Sequence, residues 1–542
     1  MDRDAAAPRS LTDWTRHLLV GSALCRTVLG RRRPAVVARW RLLVVLPAVL
    51  LYPCLNFHLF EPDESRYAQI PREMLDRGTW LVPTLQGEPY LDKPPLFCWL
   101  VMASYRVFGV HDWAARLVPA AAVHLTVLLV YLLGRRTVGD RPALAAALLL
   151  TLAPGFLGMA RLLILDGLLT LWVALALLAA FEAVRGERFA WGWWLLASIA
   201  CGLGVLTKGP VAVLLLVPVL VAHRWLVPAT CRVPAAGWLA FVGVTLAIAL
   251  PWYVALCVRL PEFLSYFFWE HNVKRFLAPG VHVRGVWFYA PVLVTVLLPG
   301  TLLLWPLLRF LTSSDAATVR LRSPELGFHL LAGAWIVGFF TLSSCKLPTY
   351  ILPALPALAL VFGAFLVHTG RHLARRTTVA AGTSFALLLA AHSVALPWYA
   401  WYRSPMSRPA EVLRLCADRS LPVVCYPRNC DSVAFYLGRS DLRVIRSKDI
   451  EELRTLVRIQ PRTVILCTQR HSLRGLKELL PPEVRIAHEV RMGLADLPGV
   501  PPWAMRPLAK LMGETALGLA DLAVIEMPPL LPPAVVAQRP GS

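Results

Sequence analysis

Residues 162–181 read Leu-Leu-Ile-Leu-Asp-Gly-Leu-Leu-Thr-Leu-Trp-Val-Ala-Leu-Ala-Leu-Leu-Ala-Ala-Phe, an apolar run broken by a single charge, Asp166. A helix of about 20 residues is as long as the hydrocarbon core of a bilayer is thick. Ten similar stretches occur at 42–60, 117–133, 142–158, 191–207, 209–222, 233–258, 285–308, 326–345, 347–369 and 377–402. Charged residues make up only 16% of the 542 and apolar residues 57%, whereas soluble domains carry about 25% charge. The expected class is an all-α polytopic membrane protein with about eleven spans. A water-soluble enzyme is excluded.

The net charge of +22 does not point to nucleic acid, because its placement is that of a topology signal. Arginines gather in alternate short loops: Arg31 to Arg41, Arg135 to Arg141, Arg185 and Arg188, Arg224 and Arg232, Arg309 to Arg322, and Arg371 to Arg376. Basic loops stay in the cytoplasm. The N-terminal tail, 1–41, is therefore expected inside a plasma (inner) membrane and the tail beyond 402 outside. Residues 96–110 are apolar but short, and reading them as an interfacial helix keeps every basic loop on one side.

The 42–402 region is thus the transmembrane domain, with a first outer loop at 61–116. Residues 403–542 change character. β-rich runs at 423–426, 464–467 and 523–525 alternate with polar helical stretches at 448–458 and 472–480, which predicts a small extracytoplasmic α/β domain. Its proline-rich end, with Pro528, Pro529, Pro532 and Pro533, is expected to be disordered. Cys425 and Cys430 would face an oxidising compartment, where a disulfide and two free thiols are both compatible with the sequence.

The chemistry lies in the outer loops. Only seven lysines occur, and Lys93, Lys208, Lys274 and Lys346 all fall there. A compact ammonium suits phosphate, and Arg66, Arg161 and Arg275 could add bidentate contacts. Asp63, Glu64, Asp92, Asp166 and His271 supply acid–base or metal-ligand groups. Together they fit an anionic, phosphate-linked lipid at the outer membrane surface. Other readings exist for each: Asp63 and Glu64 as helix-opening acids, Lys93 as a snorkelling anchor, Asp166 in a salt bridge with Arg161. The aromatics near 252–253, 266–269 and 287–289 read as an interfacial belt.

Asp63-Glu64-Ser65-Arg66-Tyr67-Ala68-Gln69-Ile70-Pro71-Arg72-Glu73-Met74, Gly78-Thr79-Trp80 and Lys93-Pro94-Pro95-Leu96 resemble bacterial lipid A aminoarabinose transferases and the related dolichyl-phosphate-mannose protein mannosyltransferases. Supporting matches are Ala160-Arg161 with Leu165-Asp166, Leu206-Thr207-Lys208-Gly209-Pro210, Glu270-His271 with Arg275-Phe276, and Lys346-Leu347-Pro348-Thr349-Tyr350. The resemblance implies a GT-C fold and transfer of a sugar, with inversion, from a polyprenyl-phosphate donor to a glycolipid or protein acceptor. It implies that Asp63 activates or orients the acceptor, with Glu64 and Tyr67 beside it, and that Lys93 contacts the donor phosphate.

Arg66, Lys208, Arg275, Lys346 and Tyr350 are the expected further phosphate-binding groups, and Asp166 a catalytic one. Asp92 and His271 match a pair associated in the family with a divalent metal. Here Asp stands for Glu, and the loop Glu270-His271-Asn272-Val273-Lys274-Arg275-Phe276 is one residue longer between His and Arg. A lipid-substrate transporter or a non-catalytic membrane subunit are the alternatives. Internal repeats, usual in transporters, are not evident.

Overall fold

The computed structural model describes residues 34–228, 230–277, 282–404, 406, 410–467, 472–490 and 521–526. The proline-rich end, expected to be disordered, lies outside the described residues, as does most of the N-terminal tail. Helix Pro34–Leu51 starts ahead of the expected boundary at 42, so Arg39 and Arg41 are helical, and Arg39 pairs with Asp140.

The expected first span, 42–60, is helical only to Leu51. Beyond it the backbone turns irregularly before helix Asp63–Asp76, freeing carbonyls that would be costly to leave bare at membrane depth. Two buried arginines take them. Arg116 donates to the carbonyls of Leu55 (2.9 Å), Phe57 (2.5 Å) and His58 (3.2 Å), and Arg161 to those of Leu50 (3.1 Å) and Cys54 (2.6 Å). Arg161 therefore does not pair with Asp166; both of its terminal nitrogens are engaged by backbone carbonyls.

Among the described residues six helices are long and apolar enough to cross a membrane: Asp112–Thr137, Asp166–Val184, Ala235–Arg259, Pro324–Leu342, Pro348–His368 and Arg375–Trp401. The count rises to eight if each of two bent pairs is one span. This differs from the expected eleven. The runs at 142–158 and 285–308 are each broken near a proline, by 62° between Asp140–Leu152 and Pro154–Ala160, and by 103° between Val286–Val296 and Gly300–Thr312. Proline supplies no N–H and clashes with the preceding turn, so a uniformly apolar run need not be one straight helix. Val211–Leu226 is apolar but shorter.

The first outer loop is itself structured. Asp63–Asp76 is followed by a two-stranded hairpin, β1 (Thr84–Leu85) with β2 (Glu88–Pro89), and by helix Leu96–Phe108. At 13 residues the last is too short to span. It packs between Asp63–Asp76 and Asp112–Thr137, burying Phe97, Val101 and Tyr105.

Residues 410–526 carry a five-stranded sheet in the order β4-β3-β5-β7-β6, from β3 (Val423–Tyr426), β4 (Arg443–Val444), β5 (Arg462–Cys467), β6 (Arg485–Val490) and β7 (Asp521–Glu526). β4, β3 and β5 run parallel; β7 is antiparallel to β5 and β6. Side chains alternate along a strand, so Val423, Cys425, Val464 and Leu466 meet helices Ala410–Ala417 and Asp431–Leu437 on one face. Val424, Tyr426, Ile465 and Cys467 meet Ile450–Ile459 and Ser472–Leu479 on the other. Cys425 and Cys430 are free thiols.

The loop is pinned to the spans by one buried ion pair. Glu64 receives Arg116 Nε and Nη2, both at 2.9 Å, and also the backbone N–H groups of Phe60 (3.0 Å) and Leu163 (2.7 Å). Glu64, expected beside the acceptor, is thus fully engaged in holding the loop. Removing one partner of a buried pair costs roughly 3–5 kcal/mol. Glu64→Ala is expected to lower the thermal unfolding midpoint of the detergent-purified protein accordingly, and an unchanged midpoint would show that the pair is not formed.

Candidate active site

Helix Trp191–Lys208 ends at a lysine followed by Gly209, whose φ of 93° closes the helix in a conformation open to glycine. A Cβ there would stand 3.0 Å from the Phe267 ring, so glycine also permits the close approach of segment 265–274. Lys208 projects from this end onto Asp166, the first residue of its own helix, with Nζ 2.5 Å from Oδ1. The same ammonium lies 4.4 Å from the Tyr350 ring centre. An acid at the first turn of a helix is favoured by the free N–H groups there, and a cation over a tyrosine face gains from the ring quadrupole.

Segment Ser265–Lys274 is wound as a π-helix, in which residues five apart stack. Tyr266 and His271 are such a pair, and both reach the same oxygen: Tyr266 donates to Asp92 Oδ1 at 2.5 Å, and His271 Nδ1 lies 3.6 Å from it. The extra residue in this loop relative to the resembled family falls where the wide turn can absorb an insertion. On its other nitrogen His271 receives Lys93, Nζ to Nε2 at 2.5 Å; Lys93 also donates to the Asp92 carbonyl at 3.0 Å. Arg275 follows and reaches the Tyr350 hydroxyl at 3.4 Å.

Burial sets the charge states. It holds the His271 imidazole neutral, pushed down to about 3 with help from the Lys93 charge. When Lys93 is charged it can only donate to Nε2, which puts the ring proton on Nδ1, toward Asp92. Burial also pushes the Lys93 amine down to about 7, reinforced by Lys208 and Arg275 and opposed by Asp92. A lysine this low is poised to be recharged by an incoming anion.

These groups border a cavity of about 410 Å³. Lys93, Lys208, His271 and Arg275 stand together on its lining, and Val211, Leu214, Phe276, Leu277, Phe339 and Phe340 supply apolar wall. Asn272 lines it too, its amide donating to the Phe267 carbonyl at 2.6 Å.

Asp63 stands apart at the mouth of the first loop. Its side chain is 64% exposed, with Arg66 at 3.9 Å. Arg66 lies 5.9 Å from the Tyr90 ring centre and bonds its hydroxyl, and Tyr90 links on to Tyr67. Tyr67 is buried edge-on against Phe97. Two of the four outer-loop lysines are elsewhere. Lys346 is buried, donating to the carbonyls of Arg284 (3.1 Å) and Ser343, where it closes the end of helix Pro324–Leu342. It takes no part in the cavity lining. Lys274 pairs with Glu270 at 2.8 Å on an exposed turn.

Tyr266 and Arg116 escaped the sequence reading. Tyr266 carries the same signature as belt aromatics, and only its spacing of five from His271 sets it apart. Arg116 lies at the edge of an apolar run, which looks like an interfacial arginine. The aromatic belt itself is divided: Trp269 and Trp287 are exposed, whereas Trp252 donates to the Leu81 carbonyl and Tyr289 to that of Leu347.

As a metal site, Asp92 and His271 are incomplete. Among the described residues no group of three or more His, Cys, Asp or Glu is placed to hold an ion. The second imidazole nitrogen is occupied by the Lys93 amine, which competes with any cation. The residues present do not fit a protein-held divalent metal.

The molecule superposes on the crystal structure of ArnT from Cupriavidus metallidurans bound to undecaprenyl phosphate with a TM-score of 0.67, covering 90% of this chain and 97% of that one at 21% identity. The two share one fold. Residues 36–267 match the dolichyl-phosphate-mannose-protein mannosyltransferase family. An undecaprenyl phosphate-alpha-4-amino-4-deoxy-L-arabinose arabinosyl transferase of Pseudomonas fluorescens is 37% identical over 359 residues, 62% of this chain and 58% of its own length. Its counterpart from Pseudomonas savastanoi is 36% identical over 375 residues, 65% and 66%. The matched part is therefore less than two thirds of these relatives' length.

The charge state of Lys93 is directly testable. Acylation of the purified protein by a small amine reagent, followed by peptide mass spectrometry, should show Lys93 reactivity rising through about pH 7. A rise only near 10.5, the ordinary lysine value, would mean the amine is not desolvated.

Proposed function

We propose that the protein transfers a sugar from an undecaprenyl-phosphate-type donor to an envelope glycolipid at the extracytoplasmic face of the inner membrane, with the N-terminus in the cytoplasm. One observation carries this: Lys93, Lys208 and Arg275 converge on a cavity that also has an apolar wall, which fits a phosphate joined to an isoprenoid chain. The ArnT fold and the arabinosyl transferase relatives support the same donor class and make 4-amino-4-deoxy-L-arabinose the first sugar to test. The arabinosyl transferase relatives make a lipid A-like acceptor the first to test, ahead of a protein.

In this reading the acceptor oxygen bonds the anomeric carbon from the face opposite the phosphate. The bond from that carbon to the phosphate oxygen breaks, and its electron pair leaves with the lipid phosphate. Lys93, Lys208 and Arg275 meet the charge that develops there, and preorganised cations of this kind are commonly the largest catalytic contribution. Asp166 holds Lys208 in place and Tyr350 backs both Lys208 and Arg275. His271, neutral and fixed by Asp92 and Tyr266, aims Lys93. Asp63, solvent-facing beside Arg66, orients the acceptor or takes its hydroxyl proton; a phosphate acceptor needs only the orientation.

A transporter would place its charges near the membrane midplane. Here Lys208 is the last residue of its helix and Asp166 the first of its own, which supports a site at one membrane surface.

Losing one electrostatic contact to a developing oxyanion costs about 2.7–4 kcal/mol, or 10²–10³ in rate. Lys93→Ala and Asp63→Asn are each expected to lower kcat for transfer from undecaprenyl-phosphate aminoarabinose by that order in purified proteoliposomes. Near-normal turnover in both, at equal protein level, would reject the assignment.

A further inference from the structure

Helix Asp63–Asp76 presents two faces with different partners. Arg66 and Tyr67 turn toward Tyr90, on the side of the site. Ser65, Gln69 and Glu73 follow at intervals of four and Arg72 stands three beyond Gln69, so they share a face. That face lies against helix Asp431–Leu437 of the C-terminal domain. Gln69 donates to the Arg439 carbonyl at 2.8 Å, and Arg72 to that of Phe435. Tyr436 reaches past the helix, accepting from the Leu59 N–H at 3.0 Å and donating to Asp112 at 2.8 Å.

A further link is at the helix start. Pro62 supplies no side-chain cap there, and beside Glu64, which accepts the Phe60 N–H at 3.0 Å, Glu61 bonds the first turn from the residue before the proline. Its Oε1 accepts the backbone N–H of Ser432 at 2.7 Å, and its Oε2 accepts the Ser65 hydroxyl at 2.5 Å. One carboxylate thus ties the C-terminal domain to the first turn of the helix that carries the acceptor-side acid, two residues away. Asp431 stands beside it, fully buried, receiving Gln86 at 3.3 Å and Asn429 at 3.4 Å.

We infer that Glu61 is a positioning residue, through which the C-terminal domain sets the orientation of Asp63 toward the acceptor. This rests on the transferase reading above. The domain then acts as a fixed platform behind the first-loop helix, in place of the side-chain cap the helix lacks. Burial, with the neighbouring Asp431 charge, pushes the Glu61 carboxyl up to about 7, against the bonds from Ser432 and Ser65. The group therefore works close to its neutral form, and glutamine, which keeps a carbonyl oxygen for the Ser432 N–H, is the appropriate rescue.

The test compares wild type, Glu61→Ala and Glu61→Gln in proteoliposomes, with hydrogen exchange measured on peptides covering 61–66 and 431–437. Misplacing a reacting group by an ångström can cost about 100-fold. Glu61→Ala is expected to lower kcat at least about tenfold, leave KM for the undecaprenyl-phosphate donor unchanged and speed exchange in both peptides, with Glu61→Gln restoring all three. Wild-type kcat in Glu61→Ala, or a loss that glutamine does not restore, overturns the inference, as does unaltered exchange. A wild-type protein without transfer activity would instead reject the functional reading, while the exchange data still decide whether Glu61 joins the two domains.

Discussion

Lys93, Lys208 and Arg275 are held around one cavity with Asp92 and Asp166 as the neighbouring carboxylates, in surroundings where water screens poorly. Like charges gathered in this way repel, and the protein meets part of the cost by letting one of them, Lys93, lose its proton easily. An arrangement of excess cations beside apolar wall is at its most stable when an anion with an apolar tail fills it. The rest of the molecule can be understood as the support for that cluster: a glycine turn that ends a helix at Lys208, a π-helical segment that aligns Tyr266 and His271 on Asp92, and a loop that delivers Lys93.

The supports are themselves polar and buried, which distinguishes this protein from a bundle held by apolar packing alone. Where the first span breaks after Leu51, Arg116 and Arg161 bond the exposed carbonyls, and Glu64 neutralises Arg116 while anchoring the loop. Arginine suits this task because its planar fork can serve several acceptors at once. Residues that would look functional by charge and depth are here spent on backbone satisfaction, as is Lys346 at the end of helix Pro324–Leu342. The same principle joins the domains: nearly every bond between the first-loop helix and Asp431–Leu437 has a backbone group on one side.

The amino-acid sequence was enough to establish a helical membrane protein, the short helix at 96–108 and the β-rich runs of the C-terminal sheet, because each depends on local periodicity and run length. Lys93, Asp166, Lys208, His271 and Arg275, read as outer-loop candidates from charge placement, and Tyr350, named through the family resemblance, lie close together in the fold. The bends inside apolar runs were not legible in the sequence, because a proline there reads the same whether the helix kinks slightly or turns through 103°. What only the tertiary structure decided is which charges meet. Glu64 against Arg116, Lys208 against Asp166, Tyr266 with His271 on Asp92, and Glu61 against Ser432 join residues that are mostly far apart in the chain, and a charge by itself does not say whether its partner is a substrate, a backbone carbonyl or another side chain.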